Sequence, residues 1–110
     1  MKLQEVAERL KLEFLVAAAP EVDVKGGYVS DLLSDVLAHA EPGELWLTHQ
    51  RHLNIVAVAK LRELSGIVCV RGIRPGPEVI QKAKEEQVNL LVSQDNAFQT
   101  AGRLHRLLFP

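Results

Sequence analysis

Val68-Cys69-Val70-Arg71-Gly72-Ile73-Arg74-Pro75-Gly76-Pro77-Glu78 decides the fold. A β-branched run stops at a turn that carries two arginines, two glycines and two prolines. An amphipathic helix starts directly after it, with Pro77 suited to the first helical position and a run to about Gln87. This is a strand-to-helix loop. On a parallel sheet such loops gather at the carboxyl edge of the strands, where α/β proteins bind ligands.

The same rhythm extends to both sides. Leu45-Trp46-Leu47 reads as a strand, and Arg51 to Ser65 as a helix closed by Gly66 at C′. Ile67-Val68-Cys69-Val70 and Asn89-Leu90-Leu91-Val92 read as strands. Asp95 is expected to cap a last helix with the stripe Ala97, Ala101, Leu104 and Leu108. Three β-loop-α units in a row imply parallel pairing with right-handed crossovers. Upstream, Leu3, Val6, Ala7 and Leu10 mark a helix over 2–10, and Leu12 to Ala17 a strand. The segment 24–31 reads as a loop or as a strand weakened by glycines; a strand at 26–30 is preferred, with Ser34 capping a helix that ends near Ala40. The fold class is therefore α/β: a small, mainly parallel sheet of four or five strands with helices on both faces.

Composition bounds what such a domain does. At 110 residues the chain makes one domain, 1–110, with one core. Hydrophobic residues make up 47%, which argues against disorder. The net charge of −1 argues against nucleic acid, which calls for a marked basic surface. The lone Cys69 lies in an apolar run and is expected as a reduced core thiol. No segment approaches the roughly 20 apolar residues of a membrane span. Met1-Lys2-Leu3-Gln4-Glu5 does not begin a signal peptide, so a cytoplasmic location is the expectation.

Beyond its rhythm, the second half carries a family likeness. The run Ile67 to Ile80, its continuation Ala83-Lys84-Glu85-Glu86-Gln87-Val88-Asn89-Leu90-Leu91-Val92-Ser93 and the run Asp95 to Leu104 resemble the DRTGG domain family. They are also similar to the end of the N-terminal domain of HPr kinase/phosphorylase. Gly43-Glu44-Leu45-Trp46-Leu47-Thr48 fits the same pattern upstream. The likeness runs from about Leu12 to Leu108 and implies a small α/β regulatory module. Such modules occur alone, beside CBS domains, and inside phosphotransacetylases and some pyrophosphatases. The likeness carries over no catalytic residue. The letters Asp-Arg-Thr-Gly-Gly do not occur here; Gly26-Gly27 lacks the preceding three. No phosphate-cradling Gly-x-x-x-x-Gly-Lys-Ser/Thr loop is present, which argues against kinase chemistry.

The candidate site is the loop edge: Thr48, His49, Arg71, Arg74, Ser93 and Asn96, with His52, Gln94 and Asp95 nearby. Guanidinium groups beside helix N-termini suit a small anion. The competing explanation is ordinary capping by Thr48 and Asp95, with Arg74 paired to Asp95 or Glu78. His49 and His52 lack the further ligands a zinc site requires, so no metal is expected. No Gly-x-Ser-x-Gly elbow surrounds Ser93. No cofactor is implied.

The helix from Arg51 to Ser65 is apolar on several faces, which reads as a homodimer surface using Ile55, Val58 and Arg62. The expectation is thus a non-enzymatic regulatory or ligand-sensing module, dimeric and binding a small anionic metabolite or nucleotide. The alternatives are a phosphate- or acyl-handling enzyme subunit and a module that docks a protein partner without any ligand.

Overall fold

Ten elements follow one another: α1 (Leu3–Leu10), β1 (Glu13–Val16), β2 (Gly26–Val29), α2 (Leu33–His39), β3 (Glu44–Thr48), α3 (Asn54–Leu61), β4 (Gly66–Cys69), α4 (Pro77–Glu86), β5 (Leu90–Val92) and α5 (Ala97–Leu108). The structure, a computed structural model, describes all 110 residues. The strands form one sheet in the order β1-β5-β4-β3-β2. β2 to β5 run parallel, and β1 joins β5 antiparallel at one edge.

The pleat sorts the side chains into two cores. Along β3, Trp46 points to one side while Leu45 and Leu47 point to the other, as the two-residue period of a strand requires. Ile67, Cys69, Leu90 and Val92 share the first side with Val36 of α2, Ile55, Val56, Val58 and Ala59 of α3, and Val79 and Ala83 of α4. Val68 and Leu91 share the second side with Leu3, Val6, Ala7 and Leu10 of α1 and Leu104 of α5. The helices thus cover both faces, as the apolar runs of β3 to β5 require.

Several sequence expectations need correction. α3 spans Asn54–Leu61 rather than Arg51 to Ser65. The chain leaves the helix at Arg62 and Glu63, where Glu63 takes φ 55°. Gly66 is the first residue of β4 and does not close the helix. A Cβ on Gly66 would lie 3.2 Å from Asn89 Cβ and 3.3 Å from the Asn89 carbonyl oxygen, so glycine serves close packing against the next strand. Ser34 lies inside α2; the hydroxyl at the start of that helix belongs to Ser30, whose Oγ accepts from Leu32 N at 3.2 Å.

The expected interface residues also turn inward. Ile55 and Val58 lie in the core of the single chain, because α3 is covered on one side by the sheet and beside it by neighbouring helices. Arg62 folds back, and its Nε and Nη2 donate to the Ala40 carbonyl at 3.1 and 2.7 Å. That cation completes the C-terminus of α2.

At the opposite end of the sheet from the candidate site, Asn89 holds three backbone groups. Its Oδ1 accepts from Ala19 N at 2.8 Å, and its Nδ2 donates to the Ala19 and Ser65 carbonyls, both at 2.9 Å. Asn89 is buried, so deleting the amide strands a donor and two acceptors away from water. Asn89→Ala is expected to destabilise the fold by about 3 kcal/mol, read as a lowered urea midpoint at unchanged slope. A loss below about 0.5 kcal/mol would show the bracket to be dispensable.

Candidate functional site

The register brings the strand ends level: Thr48 lies opposite Cys69, and Cys69 opposite Val92. Backbone bonds extend the alignment into the loops. Val70 N donates to the Thr48 carbonyl at 3.1 Å, Ser93 N to Cys69 at 2.9 Å, Gly72 N to Ser93 at 2.7 Å and Arg71 N to Asp95 at 2.8 Å. Thr48, Arg71 and Ser93 therefore stand side by side along one edge, as the topology rule for open sheets anticipates.

Most of their polar side chains complete the chain's own ends. Thr48 is buried; its Oγ1 donates to Asp31 Oδ1 at 2.8 Å and accepts from Gln50 N at 2.9 Å. Ser93 is buried with its Oγ 2.9 Å from Thr100 Oγ1. Since Thr100 Oγ1 donates to the Asn96 carbonyl, Ser93 is the donor of that pair, and its oxygen accepts from Asp95 N at 3.2 Å. Asn96, not Asp95, caps α5. Its side chain accepts from Gln99 N at 2.8 Å while Gln99 Oε1 accepts from Asn96 N at 3.2 Å, a closed capping box. Asp95 instead pairs with Arg103 at 2.6 Å. Arg74 pairs with neither Asp95 nor Glu78. It reaches Glu13 of β1 at 2.7 Å, because the loop leans toward the antiparallel edge of the sheet.

Two residues that the sequence reading did not single out belong to this edge. Asp31 Oδ1 accepts from His49 N at 2.7 Å as well as from Thr48, and Oδ2 lies 3.4 Å from His49 Nδ1. Burial acts to raise the Asp31 carboxyl. The His49 N–H, the Thr48 hydroxyl and the His49 ring outweigh it and hold the group below the usual carboxylate range. Arg51 is the other. It follows Thr48 by three residues in the loop that leaves the end of β3 beside β4. Burial pushes the Cys69 thiol up to about 11 against the Arg51 charge, so Cys69 stays protonated. An acid two residues beyond a strand's apolar run is a weak signal, and only the fold shows which neighbouring loop it serves.

His49 Nε2 is covered and has no hydrogen-bond partner. His52 Nδ1 accepts from Asn54 N at 3.1 Å, which ends the loop before α3. No three histidine, cysteine or acidic side chains converge into a ligand set. No helix is long and apolar enough to cross a membrane.

Arg71 remains. Val70 to Ile73 form a tight turn, closed by Ile73 N donating to the Val70 carbonyl at 3.3 Å. Both central residues are left-handed: Arg71 at φ 62° and Gly72 at φ 66°. Glycine is favoured at the second, where a Cβ would also meet Gln94 Oε1 at 2.6 Å and displace that side chain. At the first, asparagine or glycine would relax the backbone, and arginine does not. Lys11 and Gln87, also left-handed, are C-caps of α1 and α4, where that conformation is ordinary. The guanidinium groups of Arg71 and Arg51 are exposed and form no ion pair.

This architecture defines a small α/β domain whose parallel sheet ends in a polar, arginine-bearing edge. The chain belongs to the DRTGG domain family, which it matches over residues 5–107. No protein of curated function matches the sequence. Its fold is similar to the crystal structure of the CBS and DRTGG domains of the regulatory region of Clostridium perfringens pyrophosphatase, complexed with the activator diadenosine tetraphosphate. The TM-score is 0.67 at 16% identity, over 94% of this chain and 45% of that one. The present chain thus spans less than half the length of that relative.

The Asp31 clasp has a pH signature. Its folded-state pKa is depressed, so its contribution is present above the unfolded carboxylate value and is lost as pH falls through the lower folded value. Asp31→Asn is expected to reduce stability at pH 7 and to flatten the decline of the urea midpoint below about pH 4. Wild-type and variant profiles that run parallel from pH 7 to pH 2 would show that the clasp contributes nothing.

Proposed function

We propose that this chain is a non-enzymatic regulatory module that senses a small anionic metabolite or nucleotide at the carboxyl edge of its sheet, with Arg71 and Arg51 as anchors. The observation that carries this reading is the Arg71 turn. A residue held in a strained backbone region with its charge unpaired points to a use outside the fold. A guanidinium grips phosphate or carboxylate through two parallel hydrogen bonds. Two acids nearby are already neutralised, Asp95 by Arg103 and Glu13 by Arg74, and the third, Asp31, has its carboxylate taken up by Thr48 and His49. The regulatory region with a similar fold takes a nucleotide activator, a ligand of the same charge class. Against the enzymatic alternative stand the engaged hydroxyl of Ser93 and the protonated thiol of Cys69.

Calorimetry with a panel of adenine nucleotides, diadenosine tetraphosphate and sugar phosphates tests the site. At least one should bind, at least tenfold more weakly to Arg71→Asn and to Arg51→Ala. Arg71→Asn should at the same time gain about 1 kcal/mol of stability from the relaxed turn. Tight binding that survives both substitutions would place the site elsewhere. No binding across the panel would sink the reading.

Self-association belongs to the same proposal, on the outer side of the helix expected from sequence, where Val58 is the one expected residue that lines the surface. Between α2 and α3 lies an uncharged groove of about 270 Å³ lined by Leu33, Leu37, Asn54, Ala57, Val58 and Leu61. Leu61 is 71% exposed. An uncharged stripe meets its own copy across a two-fold axis without opposing like charges. Light scattering at micromolar concentration should give twice the chain mass, reduced to the single mass by Leu61→Glu. A wild-type monomer would refute it.

A further inference from the structure

The outer side of α5 is unlike the rest of the surface. Phe98 stands there 87% exposed, in the first turn of the helix. On one flank a groove of about 580 Å³ is lined by Arg9, Arg103 and Arg106. The single acid in its lining, Asp95, is already paired with Arg103 at 2.6 Å. Arg9 is held only by an exposed Glu5 at 3.6 Å, and Arg106 forms no ion pair. On the other flank an apolar groove of about 350 Å³ runs between α5 and β2, lined by Val29, Leu47, Ala101, Leu108 and Phe109. Phe98 and Gly102 line both grooves, so the two are continuous across the helix. β2 itself is an edge strand with nothing paired to its outer side.

Gly102 supplies a second, independent observation. It sits in the middle of α5, where glycine lowers helix stability relative to almost any other residue. A Cβ at this position would meet nothing within 4 Å. The chain's own packing therefore gives no reason for it. A mid-helix glycine at the floor of a groove admits the close approach of another backbone.

We propose that the α5–β2 face docks a short acidic segment of a partner protein, with carboxylates against Arg9, Arg103 and Arg106 and one bulky apolar side chain in the groove beside β2. Charge complementarity selects the occupant. A second copy of this chain would set three arginines against their own counterparts, which like-charge repulsion disfavours. Size selects a segment over a metabolite, since the paired grooves follow a helix of 12 residues, about 18 Å long. An acidic side chain on the arginines gives register, and the buried apolar side chain gives the anchor. The two faces meet at the Asp95–Arg103 pair, but Arg106 and Gly102 take no part in the Arg71–Arg51 edge, so substitutions there separate the two sites.

A displayed library of random dodecapeptides, selected on the immobilised full chain, tests the proposal. Selected sequences should converge on several acidic residues around one aromatic or large aliphatic residue. Fluorescence anisotropy with the best synthetic peptide should show binding that weakens with salt. Affinity should fall at least tenfold in Arg106→Glu and in Gly102→Gln. Gly102→Gln should also unfold at a higher urea midpoint, which separates loss of docking from loss of fold. Convergence on basic or uncharged peptides, failure to select any, or binding indifferent to both substitutions would overturn the proposal. So would a dimer that Phe98→Glu dissociates, since the face would then belong to a second copy.

Discussion

The structure depends on covering β3, β4 and β5 on both faces. Their side chains are apolar at consecutive positions, so each pleat exposes an apolar row above the sheet and another below. One layer of helices would leave half of this surface in water. α2, α3 and α4 close one side, and α1 and α5 the other. The inward orientation of Ile55 and Val58 follows from the same requirement. A helix in the middle of its layer has the sheet beneath it and neighbours beside it, and its several apolar faces are used within the chain.

Two-sided burial leaves the polar groups only the ends of the sheet. At one end Asn89 gathers the turn at Ala19 and the junction at Ser65. At the other, Asp31, Thr48, Ser93, Thr100 and Asn96 finish strands and start helices. Chain ends leave donors and acceptors that must be satisfied, and these side chains are short enough to do so locally. Arg71 and Arg51 are different. They are long and charged, they satisfy nothing within the chain, and one of them strains the backbone that carries it. Among the edge residues, what the fold consumes is thereby separated from what it leaves free.

The α5 side shows the same separation on a helix. Leu104 is buried against the sheet and holds the helix in place. Phe98, Gly102 and Arg106 lie on the outer side, where no element of the chain uses them. A helical stripe read from sequence identifies the first kind of residue well. It says little about the second, because the solvent side of a helix shows no period that distinguishes a docking surface from an ordinary one.

By itself the sequence determined the alternation of strand and helix from Leu45 onward and Pro77 as the start of α4; the segment 24–31 it left between loop and strand, with a strand at 26–30 preferred, and the structure makes it β2. Hydrophobic period and turn chemistry are local, so they locate an element even where tertiary contacts reset its ends. It also determined which loops share an edge, because parallel strands place all their following loops on the same side. The length of α3, the cap at Asn96 rather than Asp95, the partnership of Arg74 with Glu13 and the role of Asp31 were decided only by tertiary structure. Each depends on a group from a distant part of the chain or on competition between adjacent residues of nearly equal local merit. Glu13 lies 61 positions from Arg74, and only the antiparallel seating of β1 beside β5 brings them within 2.7 Å.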